Sequence, residues 1–220
     1  MPKAAIFDLD GTLLDSVDLH AIAWHEAMVK FGHDVSFEQA RSQIGKGGDK
    51  LIPTFLNAAE RKDHGEELEK WRSERFKSRY LSLIRPFSAV PDLLQRSRDA
   101  GLRIAIASSA KKEELNKYLE IAGISHLVEH ATSSEDVEES KPAPDIFEVV
   151  LKKLKIEGKD AVAIGDSPYD AAAAGKADVR TIGVLCGGFT ESELRMAGCV
   201  EVYPGPAALL ASFDRSLLAK

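Results

Sequence analysis

Short apolar runs recur along the chain and alternate with stretches of helical periodicity. The apolar runs are rich in Ile, Val and Ala and predict buried strands at Ala4 to Leu9, Leu102 to Ala107, Ala161 to Ile164 and Thr181 to Leu185. The helical stretches are Lys112 to Ala122, Pro144 to Lys155 and Pro168 to Ala174, with Gly123 and Gly175 as stop signals and a Thr190/Glu193 capping box opening one more. This alternation from about residue 86 onward indicates an α/β fold, in which a parallel sheet is covered on both faces and ligands bind at the carboxyl ends of its strands.

Residues 16–85 interrupt this alternation. They contain no convincing strand and carry helical periodicity in Leu19, Ala23, Trp24, Ala27, Met28 and Phe31. The second half of the stretch, from Glu60 to Arg79, is heavily charged with scattered apolar residues, which suits helices that cover a small core and face water. We therefore expect an α/β core formed by residues 1–15 and 86–220 and a separate helical insertion at residues 16–85.

Composition narrows the possible partners. The 220 residues carry 29 basic and 35 acidic side chains, a net charge of −6, so the chain has no basic field to attract nucleic acid or an anionic membrane. The start lacks the apolar core and cleavage site of a signal peptide, and no stretch of about 18 apolar residues can span a membrane. Cys186 and Cys199 lack the spacing of a zinc site, and we read them as reduced thiols. These features predict a cytoplasmic protein with a small-molecule partner and leave its oligomeric state open.

The segment from Phe7 to Thr12 carries the strongest chemical signal. Asp8 and Asp10 leave the end of the first predicted strand two positions apart and should point to the same side. Because adjacent carboxylates repel, such a pair favours a bound divalent metal. Gly11 permits a sharp turn out of the sheet, and its peptide and that of Thr12 can present N–H groups to an anion. The alternative is an acidic strand end that only caps a helix.

Three further polar features follow later predicted strands, where an α/β fold builds its site. Ser108 and Ser109 can hold phosphate oxygens at a helix start, or simply cap that helix. Lys141 is a compact cation in a proline-stiffened segment and suits a phosphoryl group. Asp166 can complete a metal site and Asp170 can orient the lysine, although each acid can equally cap the following helix.

Taken together, these residues resemble the motifs of the haloacid dehalogenase-like superfamily, in the expected order along essentially the whole chain. The resemblance implies a Rossmann-like core, a Mg²⁺ cofactor and an aspartyl-phosphate intermediate. By it, Asp8 is the nucleophile and a metal ligand, and Asp10 is the acid/base residue and binds the metal through its main-chain carbonyl. By the same resemblance, Ser108 binds phosphate and Lys141 stabilises its charge. Asp166 binds the metal, and Asp170 lies behind it as a supporting residue.

The insertion at residues 16–85 is similar to the cap domain of beta-phosphoglucomutase and phosphoglycolate phosphatase relatives. Two polar residues are the candidate substrate contacts there: His20, whose pairing with Trp24 resembles the phosphoglucomutase cap, and Lys46 in the Gly-rich loop. That loop lacks the spacing of a nucleotide P-loop and is better read as a flexible lid. The alternative for His20 is a purely structural role on a helix surface.

This resemblance leads us to expect a magnesium-dependent phosphatase that hydrolyses a small phosphorylated metabolite of the sugar phosphate or phosphoglycolate type. The main alternative is a beta-phosphoglucomutase-like mutase, which Gly165 disfavours because mutase relatives carry Glu-Asp where this chain has Gly-Asp. A dehalogenase is disfavoured because haloacid dehalogenases need no magnesium. They also lack the second acid of the Asp-x-Asp pair, which this chain has as Asp10. The rival from another class is a receiver-like phosphorylation switch, whose ~100 to 150 residues contain no such insertion.

Overall fold

Eight strands and eleven helices are present in the computed structural model, which describes residues 1–220. The strands are β1 Ala4–Phe7, β2 Leu14–Asp15, β3 Arg85–Pro86, β4 Arg103–Ala107, β5 His130–Thr132, β6 Ala161–Gly165, β7 Arg180–Val184 and β8 Cys199–Tyr203. The helices are α1 Val17–Lys30, α2 Phe37–Arg41, α3 Gly48–Phe55, α4 Ala58–Glu60, α5 Glu66–Arg79, α6 Val90–Asp99, α7 Lys112–Ala122, α8 Asp145–Leu154, α9 Pro168–Lys176, α10 Glu191–Met196 and α11 Pro206–Ala211.

Six of the strands form one parallel sheet in the order β5-β4-β1-β6-β7-β8. The four residues of β1 are all buried and pair with β4 on one side and β6 on the other. The order of the strands reverses at β1, and open α/β sheets bind ligands at such a point, beyond the carboxyl ends of the strands. This sheet confirms the α/β fold class predicted from the sequence.

Side chains of the central strand alternate between the two faces of the sheet. Ala5 and Phe7 join a hydrophobic cluster with residues of α6, α7 and α11, whereas Ala4 and Ile6 pack with residues of α8 and α9. Both faces are therefore buried, which explains why the central strands are continuous apolar runs. Helices on both sides hold the strand ends, and the loops that follow them, in fixed positions.

Residues 17–79, comprising α1 to α5, form a helical unit with its own hydrophobic cluster. The cluster includes Trp24 and Met28 of α1, Leu51 of α3 and Leu68 of α5. A π-helical turn, Arg61–Gly65, joins α4 to α5. The stretch that interrupts the strand–helix alternation thus packs around a core separate from the two cores of the sheet.

The chain enters and leaves the helical unit through a two-stranded ribbon. β2 and β3 pair antiparallel, with Leu14 opposite Pro86 and Asp15 opposite Arg85. The Gly11 N–H donates to the Leu14 carbonyl at 2.8 Å, so the ribbon follows β1 after one tight turn. The boundaries expected at residues 15/16 and 85/86 fall at this ribbon.

Several helix ends match the prediction and one does not. α7 ends at Ala122 with Gly123 in the left-handed region at φ +69°, and a capping box at Thr190 opens α10. The expected stop at Gly175 is wrong, because this glycine keeps a helical φ and α9 continues to Lys176. No helix of the structure combines the length and the apolar character needed to cross a membrane.

Candidate active site

Asp8 lies at the carboxyl end of the central strand. Its main-chain N–H donates to the Ile164 carbonyl at 2.9 Å, so the sheet hydrogen bonding continues one residue past β1. The residue is 8% exposed. Its Oδ1 accepts a 2.6 Å hydrogen bond from Lys141 Nζ, and its Oδ2 accepts one from the Thr12 hydroxyl at 3.3 Å. Two donors therefore fix the orientation of this buried carboxylate.

Lys141 is enclosed by polar partners. Its Nζ donates to Asp8 and to the Ala107 carbonyl, at 2.6 and 2.8 Å, and lies 2.7 Å from Asp170 Oδ1. Burial alone would lower the pKa of this ammonium group, but the Asp170 and Asp8 carboxylates outweigh burial and raise it above its usual value. Lys141 is therefore a permanent positive charge beside Asp8.

Asp166 and Asp170 belong to the turn that follows β6. Asp170 accepts hydrogen bonds from the Ser167 main-chain N–H and hydroxyl, at 3.1 and 2.6 Å, as part of the capping box that opens α9. Asp166 is buried and accepts one from the Thr12 hydroxyl at 3.0 Å. Burial raises the pKa of Asp166 well above its usual range, and the neighbouring carboxylates raise it further.

The three acids carry more negative charge than the single ammonium group of Lys141 can neutralise. Carboxylate oxygens of Asp8, Asp166 and Asp170 lie within 4.8 Å of one another, with Lys141 beside them. Burial raises the pKa of Asp8 to about 7, with Lys141 acting against the shift and the other acids adding to it. The ionised form of the cluster thus needs a further cation. Because clustered carboxylate oxygens are the ligands that Mg²⁺ prefers, these residues fit the predicted metal.

Two glycines let the main chain approach the Asp166 carboxylate closely. A Cβ at Gly187 would lie 1.7 Å from Asp166 Oδ2, and one at Gly11 would lie 2.4 Å from it. Gly11 also adopts φ +79°, in the left-handed region that favours glycine. A larger residue at either position would displace the Asp166 carboxylate. Gly11 is therefore required for the turn, and its contact with an anion stays a prediction.

Asp10 contacts the helical unit. Its Oδ1 accepts a 2.6 Å hydrogen bond from the Ser16 hydroxyl and lies 3.1 Å from His20 Nε2. Burial would raise the pKa of Asp10, but His20 and Ser16, with a smaller effect from Arg72, outweigh burial and lower it below its usual value. The pKa values of Asp8 and Asp10 are therefore shifted in opposite directions although the two residues lie only two positions apart.

His20 lies in a buried contact between α1, α5 and α7. Its ring stacks on Phe76 with centroids 4.0 Å apart, and its Nε2 lies 3.3 Å from the Tyr118 hydroxyl. The residue is only 6% exposed. The position next to Asp10 orients that acid, and whether His20 also contacts substrate stays a prediction.

A cavity of about 270 Å³ lies between the sheet and the helical unit. Only 4 of its 21 lining residues are hydrophobic, so it suits a polar ligand. The predicted site residues that line it are Asp8, Asp10, His20, Lys46 and Ser109. Those that do not are Gly11, Thr12, Ser108, Lys141, Asp166 and Asp170. The structure thus brings all the predicted residues to one region, as a layer open to the cavity and a layer behind it.

Three hydroxyls near the predicted phosphate site, two of them predicted to bind phosphate, have partners within the protein. The Thr12 N–H, predicted to meet an anion, donates to the Leu9 carbonyl at 3.2 Å. The Ser108 hydroxyl is buried and accepts the main-chain N–H two residues on, at 3.1 Å, as a cap would. The Ser109 hydroxyl donates to the Gly45 carbonyl at 3.3 Å, which joins the core to the helical unit. The Thr12 hydroxyl joins two acids, as described above. Their contacts with phosphate stay predictions.

Lys46 lies at the cavity edge in the loop before α3. Its Nζ donates to Gln43 Oε1 at 2.5 Å and lies 4.8 Å from the centre of the Tyr169 ring. Partial burial lowers the pKa of this lysine below its usual value. The ammonium group therefore has protein partners already, and its contact with substrate stays a prediction.

Sequence reasoning missed several cavity residues, namely Arg72, Ser73, Lys111, Glu114 and Ser140. Arg72 lies in the charged stretch of α5, where a cavity-facing arginine has the same local pattern as a solvated one. One signal could have identified it: Phe76 follows four positions later, so the arginine shares a helix face with a buried aromatic residue.

The model of one protein family, described as haloacid dehalogenase-like hydrolase, matches residues 5–184. The phosphoglycolate phosphatase of Vibrio parahaemolyticus is 30% identical over 192 residues, which cover 84% of this chain and 84% of that protein. The phosphorylated carbohydrates phosphatase of Thermotoga maritima is 25% identical over 180 residues, covering 82% of this chain and 83% of that one.

Solved structures resemble this one over nearly their whole length. A hydrolase from Pseudomonas syringae matches with a TM-score of 0.89 at 27% identity, covering 98% of this chain and 99% of that one. A variant of CbbY from Rhodobacter sphaeroides, in complex with xylulose-(1,5)bisphosphate, matches with a TM-score of 0.75 at 26% identity, covering 95% and 96%. Both likenesses therefore include the helical unit as well as the sheet.

Proposed function

This chain belongs to the haloacid dehalogenase-like hydrolases, and we propose that it is a magnesium-dependent phosphatase of compact phosphorylated metabolites. Membership of a hydrolase family confirms the prediction that this chain is an enzyme. It excludes the alternative of a receiver-like phosphorylation switch. The observation that carries the proposal is the Asp8 carboxylate, which is held by Lys141 at the end of β1 and opens onto the cavity.

The acid cluster is the proposed metal site, with Asp8, Asp166 and the main-chain carbonyl of Asp10 as ligands. Mg²⁺ bound there supplies a Lewis acid that neutralises charge on the phosphoryl oxygens. Lys141 adds a fixed positive charge on the same group, and Asp170 holds Lys141 in place. This arrangement addresses the main demand of phosphoryl transfer, which is the stabilisation of developing negative charge.

Asp8 and Asp10 then divide the chemistry. An Asp8 oxygen attacks phosphorus, the bond from phosphorus to the ester oxygen breaks, and Asp10 gives that oxygen its proton. In the second step Asp10 takes a proton from water, whose oxygen displaces Asp8 from phosphorus and releases inorganic phosphate. The lowered pKa of Asp10 suits the second step directly. For the first step the residue must hold a proton, which it can share with His20 Nε2 when that nitrogen is unprotonated.

The helical unit is the proposed cap, with residues 16–85 covering a core of residues 1–15 and 86–220. Loops from both parts line the cavity, and its volume of about 270 Å³ lies below the ~300–1,000 Å³ of sites for drug-sized ligands. A compact ester, such as a sugar phosphate or phosphoglycolate, therefore suits it better than a nucleotide. The cytoplasmic location predicted from composition stays a prediction.

The mutase alternative conflicts with the space around Gly165. A Cβ at this position would lie 2.5 Å from the Asp170 Cβ and 2.6 Å from its Cγ. A Glu-Asp sequence here would therefore move Asp170 away from Lys141 and disturb the charge network. Gly165 supports a phosphatase, in agreement with the sequence argument.

A metabolite panel tests the proposal. Purified protein is incubated with p-nitrophenyl phosphate, phosphoglycolate and several sugar phosphates, with Mg²⁺ or with EDTA, and released phosphate is measured. We expect multiple turnovers with Mg²⁺, none with EDTA, and recovery when Mg²⁺ is returned in excess. Turnover that is unchanged by EDTA would overturn the metal assignment, and release from none of the esters would overturn the phosphatase.

A further inference from the structure

Arg72 of α5 is a charged residue of the cavity wall whose side chain has no polar partner in the protein. Its guanidinium makes no hydrogen bond and no ion pair, and its Nε is buried without an acceptor. Leaving a buried donor unpaired costs its full desolvation free energy, so native proteins rarely do so without a reason. Only Nε is buried, so a ligand that enters the cavity meets the terminal Nη groups of the guanidinium, which also lack an acceptor in the protein.

Two aromatic rings position the guanidinium. Its Cζ lies 4.6 Å from the centre of the Trp24 ring and 5.7 Å from that of Phe76. These cation–π contacts hold the guanidinium at the cavity wall, and its planar N–H groups match the two oxygens of a carboxylate or phosphate. Phe76 also stacks on His20, which contacts Asp10, so Arg72 lies on the same wall as the acid/base residue.

The other two basic residues that line the cavity already have partners. Lys46 donates to Gln43, and Lys111 Nζ lies 3.4 Å from Glu69 Oε1. Arg72 is therefore the lining cation best able to receive an anion without losing an existing contact.

We propose that Arg72 binds a second oxyanionic group of the substrate, a carboxylate or a second phosphate, while the scissile phosphate lies at Asp8. The inference rests on the proposed phosphatase function and narrows it to metabolites with two anionic ends. The two ends must lie only a few bonds apart, because the same cavity of about 270 Å³ holds both. Arg72 is thus a specificity-determining residue. A monophosphate whose other polar groups are all hydroxyls cannot make the ionic contact with Arg72.

Matched substrate pairs test this directly. One pair is 2-phosphoglycolate and 2-hydroxyethyl phosphate, and the other is propane-1,3-diyl bisphosphate and 3-hydroxypropyl phosphate. Within each pair the phosphate ester is similar and only the second group loses its charge. The wild type should prefer the doubly anionic member of at least one pair, and the pair that shows the preference identifies a carboxylate or a phosphate as the second group.

Two Arg72 variants and one control separate binding from folding. Because a hydrogen bond to a charged group is worth ~1.5–3 kcal/mol, Arg72→Met should lower kcat/KM for the preferred doubly anionic ester by about 10–100-fold, mainly through KM. The neutral partner should change by less than about threefold, and Arg72→Lys should recover part of the loss by restoring the charge. Arg79→Met, at an exposed position of the same helix, should leave both esters unchanged.

The outcomes distinguish the inference from the function on which it rests. Equal losses on charged and neutral esters in Arg72→Met, or a wild type that hydrolyses both members of each pair equally well, would overturn the role of Arg72 and leave the phosphatase in place. If the wild type with Mg²⁺ hydrolyses none of the four esters and no p-nitrophenyl phosphate, the proposed function itself fails.

Discussion

In the sheet core, the charged groups of the site bond to one another, whereas in the helical unit Arg72 has no protein partner and His20 Nδ1 is buried without one. Lys141 alone contacts two carboxylates and a carbonyl. Charged groups that hold one another in place are fixed before substrate arrives, although the acids still need a further cation, and this suits chemistry that depends on preorganised charge. Groups left unpaired suit recognition, because their hydrogen bonds form only with the right ligand.

The two regions should therefore respond differently to mutation. Changes in the core should affect every phosphate ester, since all of them use the same phosphoryl site. Changes in the helical unit should alter the ranking of esters, because the rest of the substrate lies there. We expect the largest effects in the core and the smallest at the exposed contacts between the two regions.

Replacing Asp8 should have the largest effect. Asp8→Asn removes the attacking oxygen anion, so turnover should fall by at least ~10⁴-fold with every ester, as expected when a nucleophile is lost. The fold should persist, because Lys141 keeps its contact with Asp170. Phosphate release with Mg²⁺ and circular dichroism measure the two effects. Asp15→Asn, at an exposed position of β2, should keep wild-type activity; activity of Asp8→Asn near the wild-type rate would exclude Asp8 as nucleophile.

Asp10→Asn should separate the two proton transfers by leaving group. An alkyl alcohol needs a proton to leave, whereas p-nitrophenolate leaves readily without one, so phosphorylation of Asp8 should fail for a sugar phosphate and partly survive for p-nitrophenyl phosphate. Water still needs a base, so the second step stays slow with both. Rapid-quench kinetics should show a burst of about one p-nitrophenolate per active site.

The same variant should accumulate phosphate on Asp8. Mass spectrometry after an acid quench should detect a base-labile acyl phosphate on that residue. Equal losses with both leaving groups, together with unmodified Asp8, would show that Asp10 only positions the metal or the loop. Either result decides whether the two acids really divide the chemistry.

A methyl group at Gly165 should disrupt the core site without touching substrate. In Gly165→Ala the new Cβ would lie 2.5 Å from that of Asp170, so Asp170 or the main chain must shift and the 2.7 Å contact of Asp170 with Lys141 should be disturbed. We expect a loss of ~1–3 kcal/mol in unfolding free energy from overpacking and a fall in kcat of about 10–100-fold, as for other supporting residues. Urea unfolding and phosphate release measure these effects.

Gly175→Ala provides the matched control. Gly175 is exposed within α9, and a Cβ there meets no atom within 4 Å. This change should stabilise the protein by about 0.5–1 kcal/mol, because alanine is the better helix former, and should leave kcat unchanged. A Gly165→Ala protein that matches this control would mean that Asp170 does not position Lys141.

Much of the core site could be predicted from sequence because its residues directly follow apolar strands. Asp8 follows β1 and Asp166 follows β6, and the pairing of Phe7 with Ile164 brings these strand ends together. A parallel sheet produces this closeness whatever the chain does between its strands. The fold class and the closeness of Asp8 to Asp166 therefore followed from local patterns, whereas the structure places Asp170, and not the Asp10 carboxylate, in the acid cluster. The edge strands β5 and β8, which are short or carry polar residues, lack a continuous apolar run.

The contacts of the helical unit could not be predicted in the same way. Arg72 faces the cavity because α5 packs against α1, and apart from the spacing of Arg72 to Phe76 the charged stretch does not indicate which charged residue is enclosed. The hydrogen-bond partners of the site hydroxyl groups could not be predicted from the sequence either. Thr12 joins an acid four residues away and another 154 residues away, and no local spacing encodes the second contact.

Exposed ion pairs between the two regions should matter least. Lys50 of α3 contacts Glu139 at 2.9 Å with the two side chains 35% and 60% exposed, so solvent screens the pair. Beside it, the Ser140 hydroxyl donates to Asp49 at 2.5 Å and accepts the Gly47 N–H at 3.1 Å in a protected position. Ser140→Ala leaves the buried Gly47 N–H without an acceptor, while Asp49 keeps the Ser140 main-chain N–H at 3.3 Å, and the change should lower the unfolding free energy by ~1–3 kcal/mol. Lys50→Met should leave Tm and kcat/KM unchanged at any salt concentration. If Lys50→Met lowers Tm as much as Ser140→Ala does, the exposed pairs hold the helical unit to the core, and its attachment depends on surface charge instead of buried hydrogen bonds.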